Sequence, residues 1–193
     1  QMIRANNIDI WTEDFGDPAD PPLLLIMGAT ASGIYWHEDF VQRLVERNRY
    51  VIRYDNRDTG QSTCFNFDQT PYTLDDMARD AVGVLDAYEI PSADVAGASM
   101  GGMIVQALAL QHRARINSAT IIMSSPLSGG GEQPELSADD LPGPDPDWMA
   151  RSMAIQMNPE ETREARIEQR LQVFEMLTGN AEEFDTERQR SIA

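Results

Sequence analysis

Polar and apolar residues alternate along residues 8–15, and mostly apolar runs of four or five residues follow at intervals. Alternation with a period of two is typical of a strand with one buried face, whereas a continuous apolar run is typical of a strand buried on both faces. The apolar runs occupy residues 23–27, 50–54, 93–96 and 119–123. The pattern therefore predicts one antiparallel strand followed by four strands of a mostly parallel sheet.

Helical spacing fills the intervals between these runs. Apolar side chains recur three or four positions apart within residues 36–45, 74–88 and 103–110. Thr73 and Asp76 have the spacing of a capping box, which predicts that a helix begins after Thr73. Strands and helices that alternate in this way predict an α/β fold, with a mostly parallel sheet covered by helices on both faces.

The pattern changes at Pro126. Residues 128–147 are rich in glycine, proline and aspartate and predict a long loop. Strand-like runs do not return after it, and helical spacing takes their place. We therefore expect two parts, an α/β core over residues 1–125 and a loop with helices over residues 126–193.

Helix signals mark the second part. Apolar spacing predicts a first helix across residues 148–157. Asn158 as N-cap and Pro159 as the first helical residue predict that a second helix begins there, and Gly179 predicts where it ends. A third helix is predicted over residues 182–190.

A stripe of methionines runs along the first of these helices. Met149, Met153 and Met157 follow one another four residues apart, and Phe174 belongs to the apolar stripe of the second helix. The spacing favours ordinary core positions over a cofactor site. The alternative is that Met149, Met153, Met157 and Phe174 line a pocket, because methionine adapts to varied apolar ligands.

Composition and charge indicate which kinds of binding partner to expect. The 193 residues carry 32 acidic and 15 basic side chains, a net charge of −17, and every basic residue is arginine. Such a balance argues against a nucleic-acid partner. No apolar run approaches the roughly eighteen residues of a membrane span, and no signal-peptide pattern opens the chain, so we expect a cytoplasmic protein without a membrane partner. The single cysteine, Cys64, excludes an intrachain disulfide.

Residues 97–101 read Gly-Ala-Ser-Met-Gly, which has the G-x-S-x-G form of a nucleophile elbow. A predicted strand precedes it and a predicted helix follows it, as an elbow requires. The serine of an elbow sits at a strained turn, so its neighbours must be small. The helix N-terminus then points its free N–H groups at a developing oxyanion. The alternative is a glycine-rich helix start that serves only close packing; the spacing excludes a dinucleotide-binding G-x-G-x-x-G.

Four segments, in order, resemble the α/β-hydrolase fold superfamily. Residues 25–29 resemble its oxyanion loop, residues 54–62 its D-x-R-x-x-G-x-S loop, residues 97–102 its elbow, and the chain from Pro126 onward a helical lid. Three features are similar to aclacinomycin methylesterase-type enzymes. They are the sequence of residues 54–62, the Met-Gly pair of the oxyanion loop and the Leu-Pro-Gly-Pro segment at 141–144.

The resemblance implies a role for five residues. Ser99 would be the nucleophile, and the backbone N–H groups of Ala29 and Met100 would form the oxyanion hole. Asp55 and Arg57 would brace the neighbouring loop. The implied activity is a serine esterase that acts on a small-molecule ester through an acyl-enzyme, without a cofactor or a metal ion.

A general base for Ser99 is not evident in these 193 residues. In the superfamily the acid and the histidine follow later strands, whereas the two histidines here are His37, at a predicted helix start, and His112. Roughly thirteen residues of helix separate His112 from Ser99, about 20 Å at the usual rise. The site after the sixth strand, where some relatives carry the acid, begins with Ser124.

We therefore expect this chain to be the N-terminal portion of a larger hydrolase and to be inactive by itself. The acid and histidine would come from outside it, for example from a complementing C-terminal polypeptide. The strand at residues 119–123 would then be a sheet edge, which favours pairing in a homo-oligomer. The alternatives are a non-catalytic fragment or binding module and, within the same fold, a cofactor-free haloperoxidase or a peptidase.

Overall fold

The apolar runs of the first part of the chain pair into one sheet. The computed structural model describes residues 1–127, 145–158, 160–178 and 185–192. Six strands of these ranges form the sheet: β1 (Met2–Ala5), β2 (Ile8–Phe15), β3 (Pro22–Ile26), β4 (Tyr50–Tyr54), β5 (Ala93–Ala98) and β6 (Ile116–Ile122). Their order is β1-β2-β4-β3-β5-β6. Strands β4, β3, β5 and β6 are parallel, and β1 and β2 join antiparallel, which confirms the predicted mostly parallel sheet.

The structure divides the chain into two compact units, Gln1–Gly130 and Gly131–Ala193. We call the first the sheet unit and the second the helical unit. The sequence pattern places the corresponding boundary between residues 125 and 126. Among the described residues, no helix combines the length and the apolar content needed to cross a membrane.

Three helices of the sheet unit follow the predicted intervals. They are α1 (Glu38–Val45), α2 (Leu74–Ala87) and α3 (Met100–Gln111). The capping box at the start of α2 is confirmed: the Thr73 hydroxyl accepts the Asp76 N–H at 3.3 Å, and the Asp76 carboxylate accepts the Thr73 N–H at 2.8 Å. Each side chain thus satisfies a backbone donor that a helix start leaves unpaired.

Successive residues of the central strands face opposite sides of the sheet, and both sides are covered. On one side, Leu24 of β3 and Ile52 of β4 pack in the same cluster as residues of α2 and α3. On the other, Leu25 and Val51 pack with Val41 of α1. Because both faces are buried, the central strands favour apolar side chains on both faces, which explains the mostly continuous runs. Arg53 of β4 is a buried exception, paired with Glu13.

Strand β6 differs from the prediction of a buried strand. It pairs with β5 in parallel register, but its residues from 117 to 121 are exposed, and Ile121 keeps 49% of its surface accessible. The physical reason is its place at the end of the strand order, where β5 contacts it on one side. An apolar run alone does not distinguish such a strand from a central one.

The helical unit contains α4 (Pro146–Met157), α5 (Arg163–Thr178) and α6 (Thr186–Ile192) among the described residues. The prediction of three helices is confirmed. Within this unit, the indole N–H of Trp148 on α4 donates to the Met176 carbonyl of α5 at 3.2 Å. Of the loop predicted over residues 128–147, residues 128–144 lie outside the described residues, as do Pro159 and the predicted cap Gly179. The end of that prediction is corrected, because α4 already begins at Pro146.

The start of the second helix is a correction. Asn158 ends α4, because its side-chain amide donates to the Ala154 carbonyl at 2.9 Å. The helix α5 begins at Arg163, and the Thr162 hydroxyl accepts the Ala165 N–H at 3.2 Å. Asn158 and Thr162 are both good N-cap residues, and only the helix packing selects between them.

The methionine stripe is not part of a core, and the prediction of ordinary core positions is wrong. Met149, Met153 and Met157 are 39%, 57% and 76% exposed, and α4 buries Ser152 instead. A cleft of the helical unit, about 510 Å³, is lined by residues of α4, α5 and their connection, namely Ala154, Ile155, Asn158, Glu160, Ala165, Glu168, Gln169 and Gln172. The four predicted pocket residues do not line it, so their role in binding stays a prediction.

Candidate active site

Ser99 lies at the turn between β5 and α3. Its φ of 53° and ψ of −123° place a non-glycine residue in a left-handed conformation. Such a conformation costs about 1–3 kcal/mol and persists where the surrounding structure imposes it. The side chain makes no capping bond to α3, and the residue is exposed. The serine is therefore accessible at a helix N-terminus, in the strand-turn-helix setting of a nucleophile elbow.

Two glycines make this turn possible. A Cβ atom on Gly97 would lie 2.2 Å from the Gly101 carbonyl oxygen, and one on Gly101 would lie 2.3 Å from the Ile26 carbonyl oxygen. No side chain fits at such distances. The ends of β3 and β5 and the start of α3 therefore meet closely only because both positions lack a Cβ.

The loop after β3 passes directly beside Ser99. A Cβ on Gly28 would lie 3.0 Å from the Ser99 Cβ and 3.4 Å from its Oγ. Ala29, the next residue, is exposed. Met100 is the first residue of α3, so its N–H has no acceptor within the helix. The chain thus brings Gly28, the residue before Ala29, against Ser99, and the oxyanion role of Ala29 and Met100 stays a prediction.

Asn56 fixes this loop, a role that the sequence did not reveal. Its side chain is buried, and the amide donates to the Met27 carbonyl at 2.9 Å, one residue before Gly28. The available signal was its place between Asp55 and Arg57 in the loop motif, at a position where the motif itself specifies no residue type.

Asp55 is a buried carboxylate that ties two loops together. Its Oδ1 accepts the Ser32 hydroxyl at 2.5 Å and the Gly33 N–H at 2.7 Å, while Oδ2 accepts the Gln61 N–H at 2.8 Å. These three donors, from the part of the chain that the structure describes, are typical of a carboxylate that holds backbone in place. Gly60 allows the approach, since a Cβ there would meet Asp55 Oδ2 at 1.9 Å.

Arg57 makes a buried bidentate ion pair with Asp80 of α2, at 2.6 and 2.7 Å. The guanidinium also lies 4.9 Å from the Tyr72 ring centre and 5.4 Å from that of Phe65. Burial opposes the charge of Arg57, but the hydrogen bonds and charge of Asp80 outweigh it, so the pKa of Arg57 is raised. Burial, with a hydrogen bond to Asp58, raises the pKa of Tyr72 to about 12.

The segment after β6 contacts the first turns of α3. The Ser124 hydroxyl donates to the Ser99 carbonyl at 2.7 Å. The Gln106 side chain donates to the Ser125 carbonyl at 2.8 Å and accepts the Leu127 N–H at 2.9 Å. In the sequence, Ser124 stands out only as a position without an acid, and Gln106 carries no signal of its role. Ser99 and Ser124 lie 25 positions apart in the sequence, and Gln106 and Leu127 lie 21 apart. At such separations no local sequence pattern indicates the contact.

The two histidines stand where the sequence placed them. His37 is the N-cap of α1, and its carbonyl accepts the N–H groups of Phe40 and Val41. His112 ends α3, and its Nε2 is buried without a hydrogen bond in the described structure. Twelve helical residues separate it from Ser99, about 18 Å along the helix axis. His112 therefore cannot take a proton from Ser99.

Groups suited to metal binding are not found in the described ranges, where no cluster of three or more histidine, cysteine, aspartate or glutamate side chains could hold an ion. Cys64 is an exposed free thiol whose Sγ lies 3.7 Å from the Ser62 carbonyl.

The family model for the alpha/beta hydrolase fold matches residues 21–192. The chain is 37% identical over 194 aligned residues to rhodomycin D methylesterase DauP of Streptomyces sp. (strain C5), a match that covers 97% of this chain and 65% of the relative. It is also 37% identical over 119 residues to the putative carbamate hydrolase RutD of Azorhizobium caulinodans, covering 62% of this chain and 42% of that protein. The chain thus spans somewhat less than two thirds of the methylesterase it resembles.

Solved structures agree on the fold. A hydrolase from Pseudomonas aeruginosa PA01 superposes on all of this chain and 65% of its own, with a TM-score of 0.67 at 24% identity. At that identity the likeness concerns the fold alone. Since the family match extends over residues 21–192 and a 37%-identical relative aligns with 97% of the chain, the chain belongs to the α/β-hydrolase fold family.

Proposed function

We propose that this protein is a serine hydrolase that cleaves carboxylic esters, with Ser99 as the nucleophile. The observation that carries the proposal is the strained, exposed serine at the N-terminus of α3, with Gly28 packed against it. Nothing in an ordinary helix start requires a non-glycine residue at φ 53°, and such strain concentrates at functional sites. A 37%-identical relative named as a methylesterase supports the same reaction class.

The proposed reaction has two steps. Ser99 Oγ attacks the ester carbonyl while a base takes its proton, the carbonyl oxygen gains the negative charge, and the N–H groups of Ala29 and Met100 stabilise that charge. The C–O bond to the alcohol then breaks, and the alcohol leaves with the proton from the base. Water attacks the acyl-enzyme in the same way, releases the acid and restores Ser99.

The general base of this reaction is supplied, in our proposal, by a residue outside positions 1–193. His112 lies at the wrong end of α3, and His37 caps α1. Serine without a base is a weak nucleophile at neutral pH. The source would be further sequence of the same protein or a complementing polypeptide. An intact mass under denaturing conditions tests this: a species heavier than these residues, or a second polypeptide, is expected, and a lone 193-residue species with full esterase activity would contradict it.

For the substrate we propose a methyl ester or another small-alcohol ester of an apolar acid. The name of the Streptomyces relative supports the methyl ester. The spacing of the methionines at 149, 153 and 157 in the sequence supports an apolar ligand. We propose the cytoplasm as its location, and neither nucleic acid nor a membrane as its partner, from the acidic charge and the absence of apolar spans in the sequence.

A fluorophosphonate probe tests the nucleophile in the intact protein. We expect the probe to label one residue, mapped to Ser99 by peptide mass spectrometry, and Ser99→Ala to abolish both labelling and turnover of p-nitrophenyl esters. Loss of a triad member lowers kcat by up to about 10⁶. The matched control is Ser125→Ala, an exposed serine nearby.

The outcomes separate the alternatives. Undiminished turnover in Ser99→Ala would refute Ser99 as the nucleophile. An unlabelled Ser99 in a folded protein would favour a binding module over an enzyme. A labelled Ser99 with turnover of peptides or peroxide but not of esters would move the protein to a peptidase or a cofactor-free haloperoxidase.

A further inference from the structure

We propose that Ser124 is a positioning residue for the oxyanion hole: its hydroxyl orients and polarises the peptide group that joins Ser99 to Met100. The inference rests on the proposed function, because it concerns the N–H that would stabilise the oxyanion. It deepens that function by assigning a role to a residue outside the elbow motif and 25 positions away from the nucleophile.

The first step from Ser124 to the oxyanion hole is the path of the chain after β6. The Ile122 carbonyl accepts the Ser99 N–H at 2.9 Å. Met123 then adopts a positive φ of 48°, which turns the chain. Ser124 consequently lies against the first turn of α3, close enough that a Cβ on Gly102 would meet the Ser124 Cβ at 2.5 Å.

The second step is the bond that Ser124 makes there. Its hydroxyl donates to the Ser99 carbonyl at 2.7 Å and lies farther, at 3.4 Å, from the Ser125 carbonyl. The same Ser99 carbonyl already accepts the Gly102 N–H at 2.8 Å. The Ser99 carbonyl oxygen therefore has a hydrogen-bond donor even without Ser124. The second bond, from the Ser124 hydroxyl, is not needed merely to pair that oxygen.

The third step is the chemistry of the peptide group. The carbonyl of Ser99 and the N–H of Met100 belong to one planar amide, with the carbonyl oxygen and the N–H on opposite sides of the C–N bond. A donor that fixes the oxygen therefore fixes the direction of the N–H. It also withdraws electron density from the nitrogen, which makes the N–H a stronger donor, the cooperative effect seen in chains of hydrogen bonds.

The last step is what holds Ser124 itself. Gln106, two turns into α3, donates to the Gly102 carbonyl at 3.2 Å and the Ser125 carbonyl at 2.8 Å, and it accepts the Leu127 N–H at 2.9 Å. These bonds fasten residues 125–127 to the same helix. The hydroxyl of Ser124 is therefore held by backbone contacts on both of its sides, at Ile122 and at Ser125.

The test compares Ser124→Ala with Ser124→Thr, which keeps the hydroxyl, and with Ser125→Ala as the matched control. Removal of a whole oxyanion donor costs about 10²–10³ in kcat, and cooperative strengthening is worth about a tenth to three tenths of a bond, so we expect kcat and the fluorophosphonate labelling rate of Ser124→Ala to fall about two- to eightfold. KM should not change, because the oxyanion forms only in the transition state. Ser124→Thr should restore most of the rate, and Ser125→Ala should match the wild type.

A spectroscopic readout keeps the test independent of turnover. With ¹⁵N-labelled methionine, the Met100 amide proton should move upfield in Ser124→Ala, and it should stay in place in Ser125→Ala. A Met100 resonance that does not move, or a labelling rate equal to wild type, would overturn the inference, as would a rate loss that Ser124→Thr leaves uncorrected. If Ser99 of the wild type does not react with the probe, the proposed function fails instead, and the Met100 shift still decides whether Ser124 polarises this amide.

Discussion

The sheet unit and the helical unit contain similar types of residue, but they bury those residues to different extents. In the sheet unit, apolar side chains of both sheet faces are buried, together with charged groups such as Arg57 and Asp80. Among the described residues of the helical unit, only Leu171 and Ser152 are buried. A strained serine needs neighbours that cannot yield, because a small displacement would relax it. The candidate site accordingly stands in the unit whose parts are fixed by burial.

Ion pairs give the largest expected contrast between the units. Arg57→Ala would leave Asp80 buried without its cation, which costs about 3–5 kcal/mol of unfolding free energy. Arg190 pairs with Glu168 at 2.5 Å between α6 and α5, but both side chains are half-exposed, and such pairs contribute about 0–1 kcal/mol. Hydrogen exchange of peptides from each unit, followed in urea, measures both variants. An equal loss of unfolding free energy in Arg190→Ala would mean that this ion pair stabilises the helical unit as strongly as the Arg57–Asp80 pair stabilises the sheet unit.

Apolar truncation sharpens the same contrast. Leu108 of α3 is fully buried, so Leu108→Ala should cost about 2–5 kcal/mol through lost burial and the cavity that remains. Leu177 of α5 is 59% exposed, and Leu177→Ala should stay within about 0.5 kcal/mol. Leu171→Ala is the control, because this buried residue of the helical unit should resemble Leu108 in direction. Chemical denaturation of the three variants ranks them, and a Leu177 effect that matches Leu108 would show that Leu177 is covered in solution.

The N-caps of α2 and α5 should contribute less to the unfolding free energy, and both are threonines, so they can be compared directly. The Thr73 cap of α2 is reciprocal, whereas the Thr162 cap of α5 receives one backbone N–H. Thr73→Ala should therefore cost about 1 kcal/mol, near the usual value, and more than Thr162→Ala. Thr70→Ala, at an exposed threonine before the cap, is the control. Thermal unfolding gives the order, which would be contradicted if Thr162→Ala proved the more damaging of the two.

The smallest expected effect is on the pH dependence of stability. The backbone N–H of Thr73, and then its hydroxyl, hold the pKa of Asp76 below its ordinary value of 3.8. A carboxyl whose pKa is lower in the folded state stabilises the protein above the ordinary pKa, and that contribution is lost as the pH falls through the folded-state value. Asp76→Asn should flatten the acid side of the stability curve below about pH 4, while Asp75→Asn serves as the neighbouring control. A steeper acid limb in Asp76→Asn would reverse the assignment.

Much of the sheet unit could be predicted, because its signals are local. Period-two alternation, continuous apolar runs, the capping box of Thr73 and the G-x-S-x-G spacing each act within a few residues. The start of α5 could not be predicted, because Asn158 and Thr162 carry equivalent cap chemistry. The exposure of Ile121 and of the methionine stripe was also missed, since an apolar side chain does not itself reveal what covers it.

The sequence by itself determined the α/β class, the order of the strands from β2 to β6 with the helices between them, and the identity of the serine at the elbow, because backbone sterics and hydrophobic periodicity depend on near neighbours. It did not indicate β1. Only the tertiary structure decided which groups hold that serine. Three hydrogen-bonded contacts join positions 23 to 29 residues apart: Asn56 to the Met27 carbonyl, Arg57 to Asp80, and Ser124 to the Ser99 carbonyl. Such contacts follow from how strands and helices pack across the sheet, and a hydrogen bond between distant residues leaves no periodic trace in the chain.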